Sequence, residues 1–313
     1  MPKVVISEFM DEAAIAADLR GFDTVYDPAL ADRPEALLLA VADADALIVR
    51  NRTQVRADLL AAAPGLKVIG RLGVGLDNID VAACTARGIA VYPATGANDD
   101  AVAEYVVAAA LVLLRGAYGA TARVAAGTWP RNALMGREIG GKRLGLVGFG
   151  AIARQTARRA AAFGMAISAH DPFLAADDPA WNPPHGPVRN LALDALIARS
   201  DVLSLHVPLT AETRRLIDAD ALTRMPRGAI LINAARGEVV DGAAVVAALR
   251  SGHLGGAALD VFDREPLDAQ AGAVFADVPN LILTPHIAGV TQESNVRVSV
   301  ATARAVRRHL LER

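Results

Sequence analysis

The chain has 313 residues, a length that favours two domains over a single core. It is 53% hydrophobic, 21% charged and 4% aromatic, with a net charge of −2 and a pI of about 6.3. This near-neutral balance argues against a nucleic-acid or membrane surface, so we expect neither kind of partner. The one cysteine, Cys84, cannot form an internal disulfide and lacks companion metal ligands, so we expect no metal site and a cytoplasmic location.

The first part of the chain alternates between short apolar runs and helical patterns. Its start, MPKVVISEF, enters a strand at once and lacks the basic segment, apolar core and cleavage site of a secretory signal. Strands are predicted at Val4–Ser7, Thr24–Tyr26, Ala46–Val49, Val68–Gly70 and Ala90–Tyr92, and helices at Asp11–Leu19, Pro34–Val41, Arg56–Ala62 and Ile79–Arg87. This rhythm predicts a small parallel α/β domain.

The rhythm breaks at Pro93–Gly96, and a long helix is predicted over Asp99–Arg115. Its apolar stretch, Tyr105–Leu114, is too short to span a bilayer, so we expect it to be buried in a core or a subunit interface. Further strands are predicted at Leu144–Val147, Ala166–Ala169, Val202–Leu205, Ala229–Ile232, Ala257–Leu259 and Leu281–Leu283, and a last helix from Thr291 to about Leu311. We therefore predict an α/β fold of two Rossmann-like, doubly wound parallel-sheet domains with a cleft between them.

A strand–turn–helix–strand pattern over residues 143–171 indicates a dinucleotide site. Its turn reads G-x-G-x-x-A, in which Gly148 permits the tight turn, Gly150 lets the backbone approach a pyrophosphate, and Ala153 lets helix and strand pack closely. The helix that starts at Ala151 and Ile152 would offer its free N–H groups to the phosphates.

Asp171 follows the second strand of this unit, 23 residues after Gly148. That is the position from which an acid accepts hydrogen bonds from the adenosine ribose. Its charge would repel a 2′-phosphate, and no arginine follows it, so the sequence predicts NAD and not NADP. This unit alone does not decide between a flavin and a nicotinamide.

Three charged or titratable residues, Arg236, Glu265 and His286, each follow a predicted strand. They would therefore lie at the carboxyl edge of the sheet, where doubly wound folds bind ligands. Oxidation of a secondary alcohol needs a base, and histidine titrates near neutrality. A carboxylate such as Glu265 would orient the imidazole, and an arginine such as Arg236 would bind a substrate carboxylate in a bidentate manner.

The blocks INAARGEVVD, LDVFDREPL and TPHIAG resemble signature blocks of the D-2-hydroxyacid dehydrogenase family, and GRLGVGLDNID and GREIGGKRLGLVGFGAIA match its other blocks in order. The resemblance covers essentially the whole chain. It implies a catalytic triad of Arg236, Glu265 and His286, a small anionic 2-hydroxy or 2-oxo acid as substrate, and a homodimer formed through the nucleotide-binding domain. It also implies a discontinuous substrate-binding domain, residues 1–96 plus 288–313, and a dinucleotide-binding domain, residues 97–287.

The same resemblance implies further contact residues. Substrate carboxylate contacts would come from the backbone around Val74 and Gly75. The cofactor would be lined by His206, Val207, Pro208, Thr213, Ala234, Arg236, Asp260, His286 and Gly289. Ala153 replaces the glycine that often ends the turn, and Ala101 stands where the family often has serine, so this chain lacks the serine hydroxyl at that position.

Three arginines of the first domain predict a second anionic group on the substrate. Arg50, Arg52 and Arg71 lie at or just after strand ends, and Arg131 is a further candidate. The blocks VISEFMDEAA, VRNRTQV and RLGVGLDNID look most like the sulfolactate dehydrogenases of this family, and related phosphoglycerate dehydrogenases use first-domain arginines for a phosphate. We therefore expect 3-sulfolactate or 3-phosphoglycerate.

Two alternatives stay open on the sequence. A glyoxylate or hydroxypyruvate reductase would share the motifs, although such enzymes often favour NADP, which Asp171 disfavours. A non-enzymatic NAD(H)-sensing binding protein would share the fold, but no groove for a partner peptide is evident in the first domain. Formate dehydrogenase is disfavoured because it has glutamine where Glu265 stands.

Overall fold

A computed structural model of the chain describes residues 1–312, and Arg313 lies outside the described residues. The chain divides into two compact units, Met1–Asn98 with Val290–Arg313, and Asp99–Gly289. We call them unit 1 and unit 2. Each unit has its own parallel sheet with helices packed on it, which is the predicted fold class.

Unit 1 contains a five-stranded parallel sheet in the order β2-β1-β3-β4-β5. Its strands are β1 (Lys3–Ile6), β2 (Asp23–Tyr26), β3 (Ala46–Val49), β4 (Val68–Arg71) and β5 (Ala90–Pro93). Its helices are α1 (Glu12–Asp18), α2 (Pro34–Val41), α3 (Ala57–Ala62), α4 (Val81–Ala86) and, from the end of the chain, α12 (Gln292–Leu311). Strand β3 is buried at all four positions, as its run of apolar residues predicts.

The last helix, α12, packs on α1, β4 and β5, so it belongs to unit 1. Gly70 allows this packing, because a Cβ at that position would lie 2.6 Å from the Thr302 methyl and 2.7 Å from a Val306 methyl. Thr291 caps the helix by accepting a hydrogen bond from the Ser294 N–H, and the Ser294 side chain returns the contact.

Unit 2 contains a seven-stranded parallel sheet in the order β12-β11-β10-β9-β6-β7-β8. Its strands are β6 (Arg143–Val147), β7 (Ala166–His170), β8 (Arg189–Asn190), β9 (Val202–Leu205), β10 (Ala229–Asn233), β11 (Leu254–Leu259) and β12 (Leu281–Leu283). Its helices are α5 (Asp99–Arg115), α6 (Thr121–Ala125), α7 (Ala151–Ala162), α8 (Leu193–Arg199), α9 (Ala219–Arg224), α10 (Gly242–Arg250) and α11 (Ala269–Gly272). The strand order reverses at the pair β6–β9: β7 and β8 lie on one side of β6, and β9 to β12 lie on its other side. This reversal defines a doubly wound sheet.

Helix α5 packs on α7 and on β10 and β11 within unit 2. Its buried residues, among them Val102, Val106 and Leu113, belong to the same apolar core as Phe149. The core of unit 2 therefore covers the buried face of this helix.

Within residues 1–312, no single helix is long and apolar enough to cross a membrane. Helix α5 and the following Tyr118–Ala125 reach that composition only as a pair, which is bent by 63°. In the same residues, no group of three or more His, Cys, Asp or Glu side chains could hold a metal ion.

Candidate active site

Arg236, Glu265 and His286 follow three neighbouring strands of unit 2. They come after β10, β11 and β12 respectively, which pair in parallel in the order β10-β11-β12. Because parallel strands end at a common edge, the topology brings the three loops together.

The imidazole of His286 is bound directly to Glu265. Nδ1 of His286 lies 2.7 Å from Oε2 of Glu265, and the other oxygen, Oε1, accepts a hydrogen bond from the Phe262 N–H at 3.0 Å. Burial raises the pKa of Glu265, but the hydrogen bond and charge of His286, the Phe262 N–H and the nearby Arg236 guanidinium outweigh it, so this pKa lies below its ordinary value. An ionised Glu265 keeps the proton on Nδ1, which leaves Nε2 free to take a proton from a substrate.

The loop that carries His286 is held by Asp260, which is only 1% exposed. Its carboxylate accepts hydrogen bonds from the N–H groups of Ile287 and Ala288, both at 2.8 Å, and from the Thr284 hydroxyl at 2.5 Å. His286 itself has φ of 55°, a backbone conformation that is rare outside glycine and that persists only where surrounding contacts hold it. In this structure the Asp260 side chain therefore fixes the His286 loop, and a direct cofactor contact from Asp260 remains a prediction.

Arg236 is positioned by the turn after β10. The Asn233 side chain, 1% exposed, donates to the Arg236 carbonyl at 2.9 Å and accepts from the Ala235 N–H at 3.0 Å. The next residue, Gly237, lies against the loop that leads to Glu265, because a Cβ there would meet the Phe262 carbonyl carbon at 2.0 Å. Only glycine permits this approach, which brings the Arg236 and Glu265 loops into contact.

The glycine turn after β6 has the geometry that a pyrophosphate requires. Gly148 has φ of 85°, and a Cβ there would lie 2.8 Å from the His206 carbonyl oxygen. A Cβ at Gly150, in contrast, would meet no atom within 4 Å, so the space beside the start of α7 is open. Open space at the N-terminal end of this 12-residue helix fits the phosphates of a dinucleotide, with Ala151 and Ile152 in its first turn.

Asp171 follows β7 directly and supports the glycine turn. Its Oδ2 accepts a hydrogen bond from the Phe149 N–H at 2.8 Å, and its Oδ1 accepts one from the Phe173 N–H at 2.9 Å. A ribose hydroxyl would share this carboxylate with two backbone donors, which the lone pairs of two oxygens permit.

The other predicted cofactor residues lie in loops at the same sheet edge. His206 is half-buried, burial lowers its pKa to about 4, and it is therefore neutral at pH 7. Val207 and Pro208 follow it, and the Thr213 hydroxyl secures this loop by donating to the Pro208 carbonyl at 2.7 Å and accepting from the Thr210 N–H at 2.7 Å. Ala234 and Gly289 are both half-buried. In the chain, Ala234 lies shortly before Arg236, and Gly289 shortly after His286.

Three of the predicted substrate arginines lie in unit 1, where Arg50 and Arg52 follow β3 and Arg71 is the last residue of the neighbouring β4. Arg50 is half-buried, donates to Oδ1 of Asn295 at 2.5 Å and lies 5.7 Å from the centre of the Phe9 ring. Burial lowers the pKa of the Arg50 guanidinium, and the Glu8 carboxylate acts in the opposite direction. Its Nε atom is buried and has no hydrogen-bond partner among residues 1–312.

The other three predicted arginines differ in their contacts. Arg52 forms an ion pair with Asp32 on the surface, so its charge is already offset. Arg71 donates to the Leu72 carbonyl at 3.0 Å, in the turn that continues to Val74 and Gly75, both of which are half-buried. Arg131 is exposed and lies in unit 2, so the structure does not group it with the other three.

The sequence pattern did not reveal four side chains that position these residues. They are Glu8, Asn78, Tyr105 and Asn233. Of these, only Asn233 could have been predicted from the sequence, because an asparagine at the end of an apolar strand often forms hydrogen bonds with the backbone of the turn that follows. Tyr105 of α5 bonds the Thr284 hydroxyl at 2.7 Å and so supports the His286 loop.

Comparison with known proteins relates the chain to dehydrogenases. The model of the NAD binding domain of D-isomer specific 2-hydroxyacid dehydrogenases matches residues 107–288. An (S)-sulfolactate dehydrogenase of Chromohalobacter salexigens is 55% identical over 99% of this chain and 99% of its own. A D-3-phosphoglycerate dehydrogenase of Mycobacterium leprae is 40% identical over 98% of this chain but only 56% of its own length. Among solved structures, the TT0316 protein from Thermus thermophilus superposes with a TM-score of 0.86 at 35% identity, over 99% of this chain and 97% of that one.

Proposed function

The chain belongs to the D-isomer-specific 2-hydroxyacid dehydrogenase family and is an NAD-dependent dehydrogenase, and from this premise we propose that it interconverts (S)-3-sulfolactate and 3-sulfopyruvate. The observation that supports this substrate assignment is the position of Arg50, a half-buried guanidinium just after β3. 3-Phosphoglycerate, which also ends in a tetrahedral anion, is the second candidate. The full-length similarity to a sulfolactate dehydrogenase supports 3-sulfolactate as the first candidate substrate and 3-phosphoglycerate as the second.

The descriptor (S) is compatible with a D-isomer-specific site. At C2 of lactate or glycerate, the carboxyl group outranks C3. In 3-sulfolactate the sulfur makes C3 outrank the carboxyl group, so the label changes while the arrangement of groups around C2 does not. One site therefore accepts (S)-3-sulfolactate and D-3-phosphoglycerate in the same orientation.

The residues of unit 2 would act on C2 of the substrate. His286 takes the hydroxyl proton on Nε2 as the C2–H bond breaks, and Glu265, bound to Nδ1, stabilises the imidazolium that forms. When bound, NAD supplies the acceptor for the hydride that leaves C2. The product is the 2-oxo acid, and His286 returns its proton to solvent or, in the reverse direction, to the oxo group.

Arg236 would bind the substrate C1 carboxylate in a bidentate manner. Carboxylate contacts from the backbone around Val74 and Gly75 stay a prediction of the sequence. The second anion would be bound in unit 1 by Arg50, with Arg71 and Arg52 as further cations. Arg52 contributes least, because Asp32 already neutralises it.

A panel of 2-hydroxy acids with NAD, read as NADH absorbance, tests the substrate assignment. We expect the highest kcat/KM for (S)-3-sulfolactate, with D-3-phosphoglycerate next and D-glycerate and D-lactate far below. Loss of a hydrogen bond from a charged group costs about 1.5–3 kcal/mol, so Arg50→Gln should raise KM for sulfolactate roughly 10- to 100-fold and KM for glycerate less than about threefold.

The matched control for Arg50 is Arg20→Gln, an exposed arginine that precedes β2 at the opposite edge of the same sheet. It should leave both KM values unchanged. Equal kcat/KM for sulfolactate and glycerate, or a preference for glyoxylate or hydroxypyruvate in the reverse direction, would overturn the proposed substrate.

We also propose that the chain forms a homodimer through unit 2. Tyr118, Trp129 and Met135, all in the segment between α5 and β6, are 67%, 75% and 79% exposed, and contact with a second copy would cover such large apolar side chains. Sedimentation equilibrium should give twice the chain mass of 32.5 kDa, and Trp129→Ser should shift the equilibrium towards the monomer. A wild-type protein that sediments as a monomer at micromolar concentration would contradict the proposal.

A cytoplasmic location remains our proposal as well. It rests on Cys84, which is a buried free thiol. Recovery of the chain outside the cytoplasm on cell fractionation would contradict it.

A further inference from the structure

Glu8, just after β1, has a buried carboxylate that is bound by backbone N–H groups and interacts electrostatically with the Arg50 guanidinium. It is 3% exposed. Its two oxygens accept hydrogen bonds from four consecutive N–H groups, those of Arg50 at 2.8 Å, Asn51 at 3.3 Å, Arg52 at 3.0 Å and Thr53 at 3.0 Å. Consecutive N–H groups that converge on one anion form a concave binding turn, so residues 50–53 fold around this carboxylate.

The same turn is held from its carbonyl side. Asn78, 5% exposed, donates to the Thr53 carbonyl at 2.8 Å and to the Arg50 carbonyl at 3.3 Å. The Ser7 and Thr53 hydroxyls also bond each other at 2.8 Å. The backbone that carries Arg50 is therefore fixed on both faces before any substrate arrives.

The geometry requires a carboxylate and not merely a polar side chain. A glutamine at position 8 would have one acceptor oxygen, and its NH₂ group would face backbone N–H groups, donor against donor. A buried carboxylate also costs free energy unless its oxygens are satisfied, which the four donors achieve. Position 8 thus acts on the conformation of residues 50–53 through hydrogen bonds that no neutral isostere can supply.

We propose that Glu8 is a positioning residue that sets the preference for a substrate with a second anionic group, by holding residues 50–53 so that Arg50 can bind that group. The inference rests on the proposed function, since it assigns Arg50 to the distal anion. Glu8 does not touch the substrate. Its negative charge would by itself oppose an anion, so its effect on binding comes from the geometry that it imposes.

A purely structural role makes a different prediction. If Glu8 only stabilised unit 1, its loss would reduce the amount of folded enzyme and lower turnover of every substrate by the same factor. If Glu8 positions Arg50, its loss changes the ratio of kcat/KM for sulfolactate to kcat/KM for glycerate. That ratio does not depend on the active fraction of the enzyme.

The experiment compares Glu8→Gln with wild type in the full chain, using (S)-3-sulfolactate and D-glycerate with NAD. We expect KM for sulfolactate to rise about tenfold or more, kcat at saturation to stay within about threefold, and the sulfolactate-to-glycerate ratio of kcat/KM to fall about tenfold. NADH affinity, measured by fluorescence, should be unchanged because the glycine turn lies in unit 2. The control is Glu12→Gln, which removes the same charge from an exposed position in the first turn of α1.

A second variant keeps the inference testable if Glu8→Gln folds poorly. Asn78→Ser releases the turn from its other face and should lower the same ratio in a protein that retains Glu8. In an Arg50→Gln background, Glu8→Gln should change the ratio less than twofold, because the residue through which it acts is already gone.

The outcomes separate this inference from the proposed function. A wild-type enzyme that prefers sulfolactate, with an unchanged ratio in Glu8→Gln and in Asn78→Ser, overturns the role of Glu8 and leaves the substrate assignment intact. A wild-type enzyme with no preference for a distal anion overturns both.

Discussion

Replacement of His286 by asparagine is expected to lower kcat by about 10²- to 10⁴-fold, the usual contribution of a general acid–base group. The amide cannot accept a proton in the relevant pH range, although it can still donate to Glu265. NADH affinity should stay within about threefold, because the glycine turn that would hold the phosphates does not depend on His286. Steady-state kinetics with sulfolactate and fluorescence titration with NADH provide the two measurements.

The control for His286 is His253→Asn, which precedes β11 at the opposite edge of the sheet. Its Nε2 contacts the Leu222 carbonyl at 2.9 Å, far along the strand from the three candidate residues. It should retain wild-type turnover per folded molecule. Turnover of His286→Asn within tenfold of wild type would remove His286 from the role of base.

Replacement of Arg236 by glutamine is expected to lower kcat/KM by about 10²- to 10³-fold, or roughly 3–4 kcal/mol, the cost of removing one partner of a desolvated charge pair. Arg236→Lys should recover only part of the loss, since an ammonium cannot bind a carboxylate in a bidentate manner.

Arg236 also has a testable effect on Glu265. Its guanidinium is one of the groups that hold the pKa of Glu265 below its ordinary value. Without Arg236, Glu265 should take up a proton at higher pH, so the loss of kcat/KM that follows protonation of Glu265 should begin at higher pH. Arg224→Gln, which breaks a surface ion pair with Asp194, serves as the control. An unchanged substrate KM in Arg236→Gln would place the carboxylate contact elsewhere.

The architecture was accessible from the sequence because its signals are local. The buried strand β3 is a continuous apolar run, and the glycine turn at Gly148 ends the largely apolar strand β6 just before a helix. The return of α12 to unit 1 was also predicted. The strand β8 was missed, because Arg189 and Asn190 are polar and exposed and give no periodic pattern.

The supporting residues could not be predicted for a physical reason. Glu8 binds backbone N–H groups 42 to 45 positions away, and backbone groups carry no sequence signature. Asp260 was expected at the cofactor, but its distance to the N–H groups of Ile287 and Ala288 depends on how β11 and β12 pair. The surface pair of Arg52 and Asp32 likewise depends on packing, which a single sequence does not state.

The composition of helix α5 predicted that it is buried but not which elements cover it. A helix that is apolar nearly all round indicates burial but not what covers it. Here α7 and the sheet of unit 2 cover its buried face, and three strongly exposed apolar side chains, Tyr118, Trp129 and Met135, lie in the segment that follows.

A crystal structure of the enzyme with NADH and (S)-3-sulfolactate tests the central claim most directly, through the distance from Nε2 of His286 to the C2 hydroxyl oxygen. We expect about 2.6–3.2 Å, with Nδ1 still bound to Glu265 and the C1 carboxylate on Arg236. A substrate whose hydroxyl is bound by another group, with the His286 ring turned away from C2, would contradict the assignment of the three residues to catalysis.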